Sequence, residues 1–154
     1  KKAPDIDSMI AIEKDDLERL LRPAGFYRQK AGQLKRIALI LKRDHLSRVP
    51  DDMESLLGLP GVGRKTANLV MGMVFGKPSI CVDVHVHRIS NRLALVNTKS
   101  PEETEYALQK IFPNAEWTGI NHIMVRFGQE ICRPVKPLCD KCPLSDQCPS
   151  RIQG

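Results

Sequence analysis

No apolar run in the 154 residues approaches the roughly 20 needed to cross a bilayer. No basic start, apolar core and small-residue cleavage site marks a signal peptide either. These absences predict an intracellular protein with no membrane partner. In a prokaryote it would act in cytoplasm or nucleoid, in a eukaryote in nucleus or mitochondrion. Internal repeats and low-complexity tracts are missing. Strand signals are nearly missing: period-two alternation is confined to Ser79 through Val86, whereas 3.6-residue periodicity recurs throughout. The expected class is all-α.

Acid is scarce where base is dense. Arg22, Arg28, Lys30, Lys35, Arg36, Lys42, Arg43 and Arg48 share a stretch whose only acid is Asp44. Lys and Arg outnumber Asp and Glu by 24 to 18, for a net charge of +6. That balance suits a polyanionic partner without proving one. Of five cysteines, four fall between Cys132 and Cys148. A secreted disulfide framework would spread its pairs through the chain, so a reducing compartment fits better.

Helices are expected at Asp7–Ala11, Asp15–Leu21, Tyr27–Asp44, Asp51–Leu57, Arg64–Phe75, Val84–Leu95, Pro101–Phe112 and Ala115–Ile131. Ser100 precedes Pro101 and stands three residues before Glu103, the pattern of a capping box. Asn114 can cap the last helix. Lys77-Pro78 interrupts the pattern. The boundary between two lobes, residues 1–77 and 78–154, is expected there.

Between two helical stretches lies Leu56-Leu57-Gly58-Leu59-Pro60-Gly61-Val62-Gly63-Arg64-Lys65-Thr66-Ala67. Without Cβ atoms, Gly61 and Gly63 can take positive φ and offer amide N–H groups where the helix dipole favours an anion. A DNA phosphate is a natural occupant. The P-loop is excluded because Arg64 stands where its lysine belongs. A dinucleotide fingerprint is excluded because no strand precedes the turn. A plain turn between antiparallel helices stays open. So do bland readings of Asp83, in Val82-Asp83-Val84-His85, as a helix N-cap and of Lys65 as a phosphate contact.

The cysteine spacing is Cys132-x6-Cys139-x2-Cys142-x5-Cys148, interleaved with Pro134, Pro137, Pro143 and Pro149. So proline-rich a loop needs a fastening. Four thiolates admit zinc or an iron-sulfur cluster, although zinc sites more often pair two well-separated Cys-x2-Cys units. Cys81 lies outside the pattern and reads as a small buried residue. His85 and His87, two apart on a helix, read as structural.

The hairpin and the cysteine spacing together resemble the endonuclease III family of helix-hairpin-helix DNA glycosylases. The match extends from the helix before Gly25-Phe26-Tyr27 through Cys148. The resemblance implies a two-lobed all-α fold with an interposed cleft, a helix-hairpin-helix over about residues 51–76 and a [4Fe-4S] cluster loop over 132–148. Its ligands would be Cys132, Cys139, Cys142 and Cys148. The implied activity is base-excision repair: a DNA N-glycosylase with β-elimination lyase activity on damaged, oxidised pyrimidines in duplex DNA. Lys65 would attack C1′ and form a Schiff base, with Asp83 stabilising developing positive charge. An amine of ordinary pKa, about 10.4, must be desolvated or ringed by cations to do so, and Arg64 could contribute.

Duplex DNA with a damaged base or abasic site is the implied partner, bound through Leu59, Gly61, Val62, Gly63, Arg64 and Lys136. Phe26 is the candidate wedge during base flipping. The chain is expected to act as a monomer. Two other readings remain, a mismatch or adenine-type glycosylase of the same fold and a noncatalytic DNA-binding module. Relatives carry several tens of further N-terminal residues, including a glutamine-bearing gap filler, and this chain opens at Lys1-Lys2-Ala3-Pro4 without methionine. A fragment that binds DNA with weak activity is therefore expected.

Overall fold

The computed structural model describes residues 2–152, and no β-strand forms among them. The helices are α1 (Ile6–Ala11), α2 (Lys14–Leu21), α3 (Tyr27–Asp44), α4 (Met53–Leu57), α5 (Arg64–Met73), α6 (Val84–Arg92), α7 (Pro101–Ile111) and α8 (Trp117–Glu130). Short 3₁₀ turns occupy Asn114–Glu116, Cys139–Lys141 and Ser145–Gln147. Among the described residues no helix is long and apolar enough to cross a membrane. The chain groups into two compact units, divided in sequence between Gly63 and Arg64, and the Lys77-Pro78 break lies within the second.

In the first unit α3 lays Ala31, Ala38 and Leu41 inward, and α2 buries Leu17. Asp5 caps α1 by accepting from Ser8 N at 2.8 Å, and Ser8 returns the bond. Part of the basic stretch is already engaged. Lys42 pairs with Asp7 at 2.5 Å and Arg28 with Glu18 at 3.8 Å. Exposed pairs of this kind are worth at most about 1 kcal/mol each.

After α4 the backbone tightens into the hairpin turn. Leu59 N donates to Leu56 O, and Val62 N to Leu59 O, at 3.2 and 3.1 Å. Gly61 sits at φ +77°, and a Cβ there would fall 2.2 Å from the Gln33 side chain. The left-handed φ is what requires glycine, since the Gln33 amide is the end of a flexible side chain and can move aside. Gly63 differs from expectation: its φ is not positive, and a Cβ would meet nothing within 4 Å.

The second unit is organised by the segment Ser79–Val82, which is buried throughout and belongs to no helix or sheet. Ile80 and Val82 enter a core with Val86, Leu108 and Ile120, edged by Val96, Phe112, Trp117 and Met124. Ile80 and Leu108 are fully enclosed, worth about 1.5–3 kcal/mol apiece by area. Trp117 Nε1 donates to Phe112 O at 2.8 Å, so the half-buried indole has its polar edge satisfied.

Two expected caps are modified. Ser100 does accept from Glu103 N at 3.2 Å, but Glu103 accepts from Lys99 N, one residue beyond the reciprocal bond of a capping box. Asn114 caps nothing: it opens a 3₁₀ turn, and α8 begins after Glu116 without a side-chain cap. Pro113 fixes φ before that turn, which makes the tighter helix the easier start.

The hairpin generates a paired stability test. Gly61→Ala should lose about 1–2 kcal/mol, the cost of forcing a Cβ into the left-handed region. Gly63→Ala should stay within about 0.5 kcal/mol of wild type, the range of unstrained surface changes. Urea denaturation of the two variants decides, and equal losses would refute the strain argument.

Candidate active site and cysteine-lined hollow

Asp83 is placed by its helix. The first N–H groups of α6 lack intrahelical partners, and Asp83 Oδ1 accepts from His85 N and Val86 N, both at 2.9 Å. The other carboxylate oxygen has no hydrogen-bond partner among the described residues. Lys65 is placed by the hairpin, in the first turn of α5. The two residues line one pocket with Arg64, Val82, Val84, His85, Glu102 and Glu105. Lys65 is exposed there and Asp83 half-buried.

The Ser79–Val82 segment ties these two positions together. Ser79 Oγ donates to Asn68 O at 2.7 Å and Cys81 Sγ donates to Lys65 O at 3.4 Å, so alternate side chains grip α5. Asn121 Nδ2, from α8, donates to Cys81 O at 2.9 Å. A Cβ on Gly72 would fall 2.8 Å from Ser79 Oγ, so the segment lies tight against α5. Burial pushes the Cys81 thiol up, with the Lys65 charge opposing and Asp83 and Glu105 adding to the rise. The thiol therefore stays protonated and can donate.

Arg64, expected at the DNA interface, is engaged within the protein. Its Nε and Nη2 form a bidentate pair with Glu105 at 2.9 and 3.0 Å, Glu102 lies 3.6 Å from Nη1, and the Tyr106 ring is 4.8 Å from the guanidinium. The Glu105 hydrogen bond holds the guanidinium pKa above its ordinary value. Glu105 is buried and went unnoticed in the sequence. Its signal was a carboxylate on the stripe of α7 that carries Thr104 and Leu108, both buried. A charge on an inward stripe demands a partner.

The other predicted positions are distributed as follows. Leu59 is buried, and the amide of Val62 is spent on Leu59 O. Gly61 and Gly63 are exposed and their amides have no partner among the described residues. Phe26 stands 83% exposed at the start of α3 with φ 57°, an unfavourable backbone for an aromatic residue. Lys136 is exposed in the cysteine loop, also left-handed at φ 51°. His85 Nδ1 lies 3.1 Å from Arg88 Nη2, and His87 Nδ1 2.7 Å from Thr104 Oγ1, so each histidine has its own partner.

Cys132, Cys139, Cys142 and Cys148 line a single apolar hollow with Arg92, Phe127, Ile131 and Leu138. Among the described residues no three His, Cys, Asp or Glu side chains are grouped so as to hold a metal ion. Two arginines of α6 fasten the loop. Arg92 donates to Arg133 O at 2.7 Å and Pro134 O at 2.9 Å and approaches Cys132 Sγ at 3.5 Å. Arg88 donates to Cys132 O at 2.8 Å. The loop's own bonds are mostly single turns, such as Cys142 N to Cys139 O at 3.1 Å.

Residues 1–114 match the HhH-GPD superfamily of base excision DNA repair proteins. The chain is 53% identical to Endonuclease III of Thermotoga maritima over 87% of its own length and 63% of that protein's, less than two thirds. It superposes on a trapped Endonuclease III–DNA covalent intermediate with TM-score 0.91 at 39% identity, covering 97% of this chain and 70% of the other. A thermostable thymine-DNA glycosylase gives TM-score 0.84 at 30% identity, covering 97% and 71%. Placed by a helix-hairpin-helix sequence, an all-α fold and these likenesses, the chain belongs to the HhH-GPD superfamily and, within it, to the endonuclease III family.

Proposed function

We propose that this chain is the core of a bifunctional base-excision repair enzyme, a DNA N-glycosylase with abasic-site lyase activity on oxidised pyrimidines in duplex DNA. The observation that carries the reading is the meeting of Lys65 and Asp83 in one pocket, with one carboxylate oxygen spent on holding the helix and the other unbonded. A lysine amine there attacks C1′ of the nucleotide. The glycosidic bond breaks and the base leaves; the sugar ring then opens at the C1′–O4′ bond, O4′ takes a proton, and C1′ is left as the Schiff base on the lysine nitrogen. Removal of a C2′ proton then expels the 3′-phosphate by β-elimination.

Asp83 faces the positive charge that develops on the sugar, which a fixed carboxylate stabilises best once DNA has excluded water. Lys65 is exposed in the free protein, so the desolvation its nucleophile role requires is supplied by the bound duplex. Gly61 and Gly63 offer their amides to phosphate, Lys136 adds a backbone contact, and Phe26 presents a pre-extended ring for insertion between bases. The relative trapped as a covalent intermediate with DNA supports the Schiff-base step. The thymine-DNA glycosylase likeness favours mismatch repair as the second reading. Lys65 argues against it, since such enzymes generally lack this nucleophile. The DNA substrate places the enzyme inside the cell.

The cysteine-lined hollow fits a [4Fe-4S] cluster. All four thiols border one space, as a cluster with one cysteine per iron requires. Cys132, Cys139, Cys142 and Cys148 would hold it. When bound, the cluster supplies a structural fastening and no open coordination site. The loop then keeps Arg133, Lys136 and Lys141 facing outward.

Borohydride should trap the wild-type protein on abasic duplex DNA, and Lys65→Gln should yield no adduct while keeping affinity within a few-fold. Binding without trapping in the wild type would leave a DNA-binding module. Asp83→Asn should slow trapping by about 10²–10³, the cost of one electrostatic stabiliser. Its melting temperature should hardly change, because asparagine caps as well as aspartate. Elemental analysis should find iron and acid-labile sulfide; zinc in their place would end the cluster reading. Cys142→Ser should lose both the cluster absorbance and DNA affinity.

A further inference from the structure

The pocket around Lys65 holds more charge than the proposed chemistry uses. Arg64 and Lys65 enter from α5, Asp83 and His85 from the start of α6, Glu102 and Glu105 from α7, and the Cys81 thiol lies beside them. Two adjacent cations in the first turn of a helix are misplaced, because the positive end of the helix dipole is there. Only one of them is compensated. The Glu105 side chain, 4% exposed, takes Arg64 in a bidentate pair, and Gln109 Nε2 lies 3.5 Å from its Oε1. Such a pair adds little stability by itself, because desolvation offsets most of its attraction.

We propose that Glu105 is a positioning residue for Lys65: through Arg64 it anchors the first turn of α5 and cancels the guanidinium charge, leaving Lys65 the one uncompensated cation facing Asp83. The proposal rests on Lys65 being the nucleophile. Arg64 was a natural candidate to help expel the proton from that amine. With Glu105 opposite, the guanidinium charge is balanced within the pair. Glu105 touches no substrate; it acts through its neighbour.

Charge makes the idea separable from mere packing. Glu105→Gln leaves a bare guanidinium beside the amine, which favours the neutral, attacking form. Arg64→Gln leaves a bare carboxylate, which favours the ammonium. Removing both restores the charge sum. Single-turnover borohydride trapping on saturating abasic duplex DNA, measured against pH with the whole chain, reads these signs. Relative to wild type, the midpoint should fall by about one pH unit in Glu105→Gln and rise by about one in Arg64→Gln, the size of shift a charge at 4–6 Å produces. In the double variant it should return to within a few tenths of a unit. The plateau rate of each single variant should drop roughly tenfold as the turn loosens, less than the 10² that a 1 Å misplacement costs.

Midpoints that stay put, or that move in the same direction in both single variants, overturn the proposal. If Glu105→Gln does not fold, the rise in Arg64→Gln and its reversal in the double variant carry the same sign test. A wild type that binds abasic DNA yet never traps overturns the nucleophile reading and this proposal with it. A wild type that traps, with variants that do not shift, overturns this proposal alone.

Discussion

The unpaired N–H groups at the start of α6 are the constraint from which most of the second unit follows. Asp83 satisfies two of them at 2.9 Å, and so its carboxylate is aimed by the helix and not by its own rotamer freedom. Because the residues before it are buried, the cap also ends a strap that grips α5 at Asn68 and Lys65. From the far end of the same helix, Arg92 reaches the carbonyls of the cysteine loop. One rigid helix of nine residues thus joins the candidate chemistry at one end to the fastened loop at the other.

That arrangement explains why the pocket can leave Lys65 exposed. The backbone at Lys65 is fixed from both sides, by the Cys81 thiol on its carbonyl and by the Arg64–Glu105 pair one residue before it. The side chain can then stay in water until a duplex covers it. Fixing the turn and freeing the amine are separate tasks, and separate groups perform them. A buried pair would be a poor source of stability by itself, since desolvation offsets most of its attraction. Its use is to settle geometry and charge at the residue next door.

Much of this was legible in the sequence because local rules and global fold agree. Tyr27–Asp44 was bounded without error, Ser100 does cap α7 and Asp83 does cap α6, since each obeys a rule acting within four residues. The misses share a cause. Asn114 yielded to a proline that preset the turn, Gly63 needed no special φ, and the Glu103 side chain chose Lys99 over Ser100. At all three the backbone offered two comparable local solutions, and local pattern cannot rank them. Arg64 and Glu105 were illegible for another reason: they are 41 residues apart, and nothing short-range announces a pair that distant. Only the oddity of an acid on an inward stripe could have raised the question.

The cysteines show where spacing and geometry carry different information. Their intervals point to a family and to a metal site of some kind, while a single ion and a cluster both remain compatible with four thiolates in a row of turns. Geometry adds scale. A zinc ion would draw four sulfurs to about 2.3 Å from one point, whereas a cluster takes each sulfur on a different iron and keeps them around a body several atoms wide. In this chain the four thiols border one apolar hollow. The guanidinium of Arg92 beside Cys132 offers a positive counterpart to the charge such thiolates would carry. It also reaches two carbonyls of the loop, so the contact that would balance the charge is one that already holds the backbone in place.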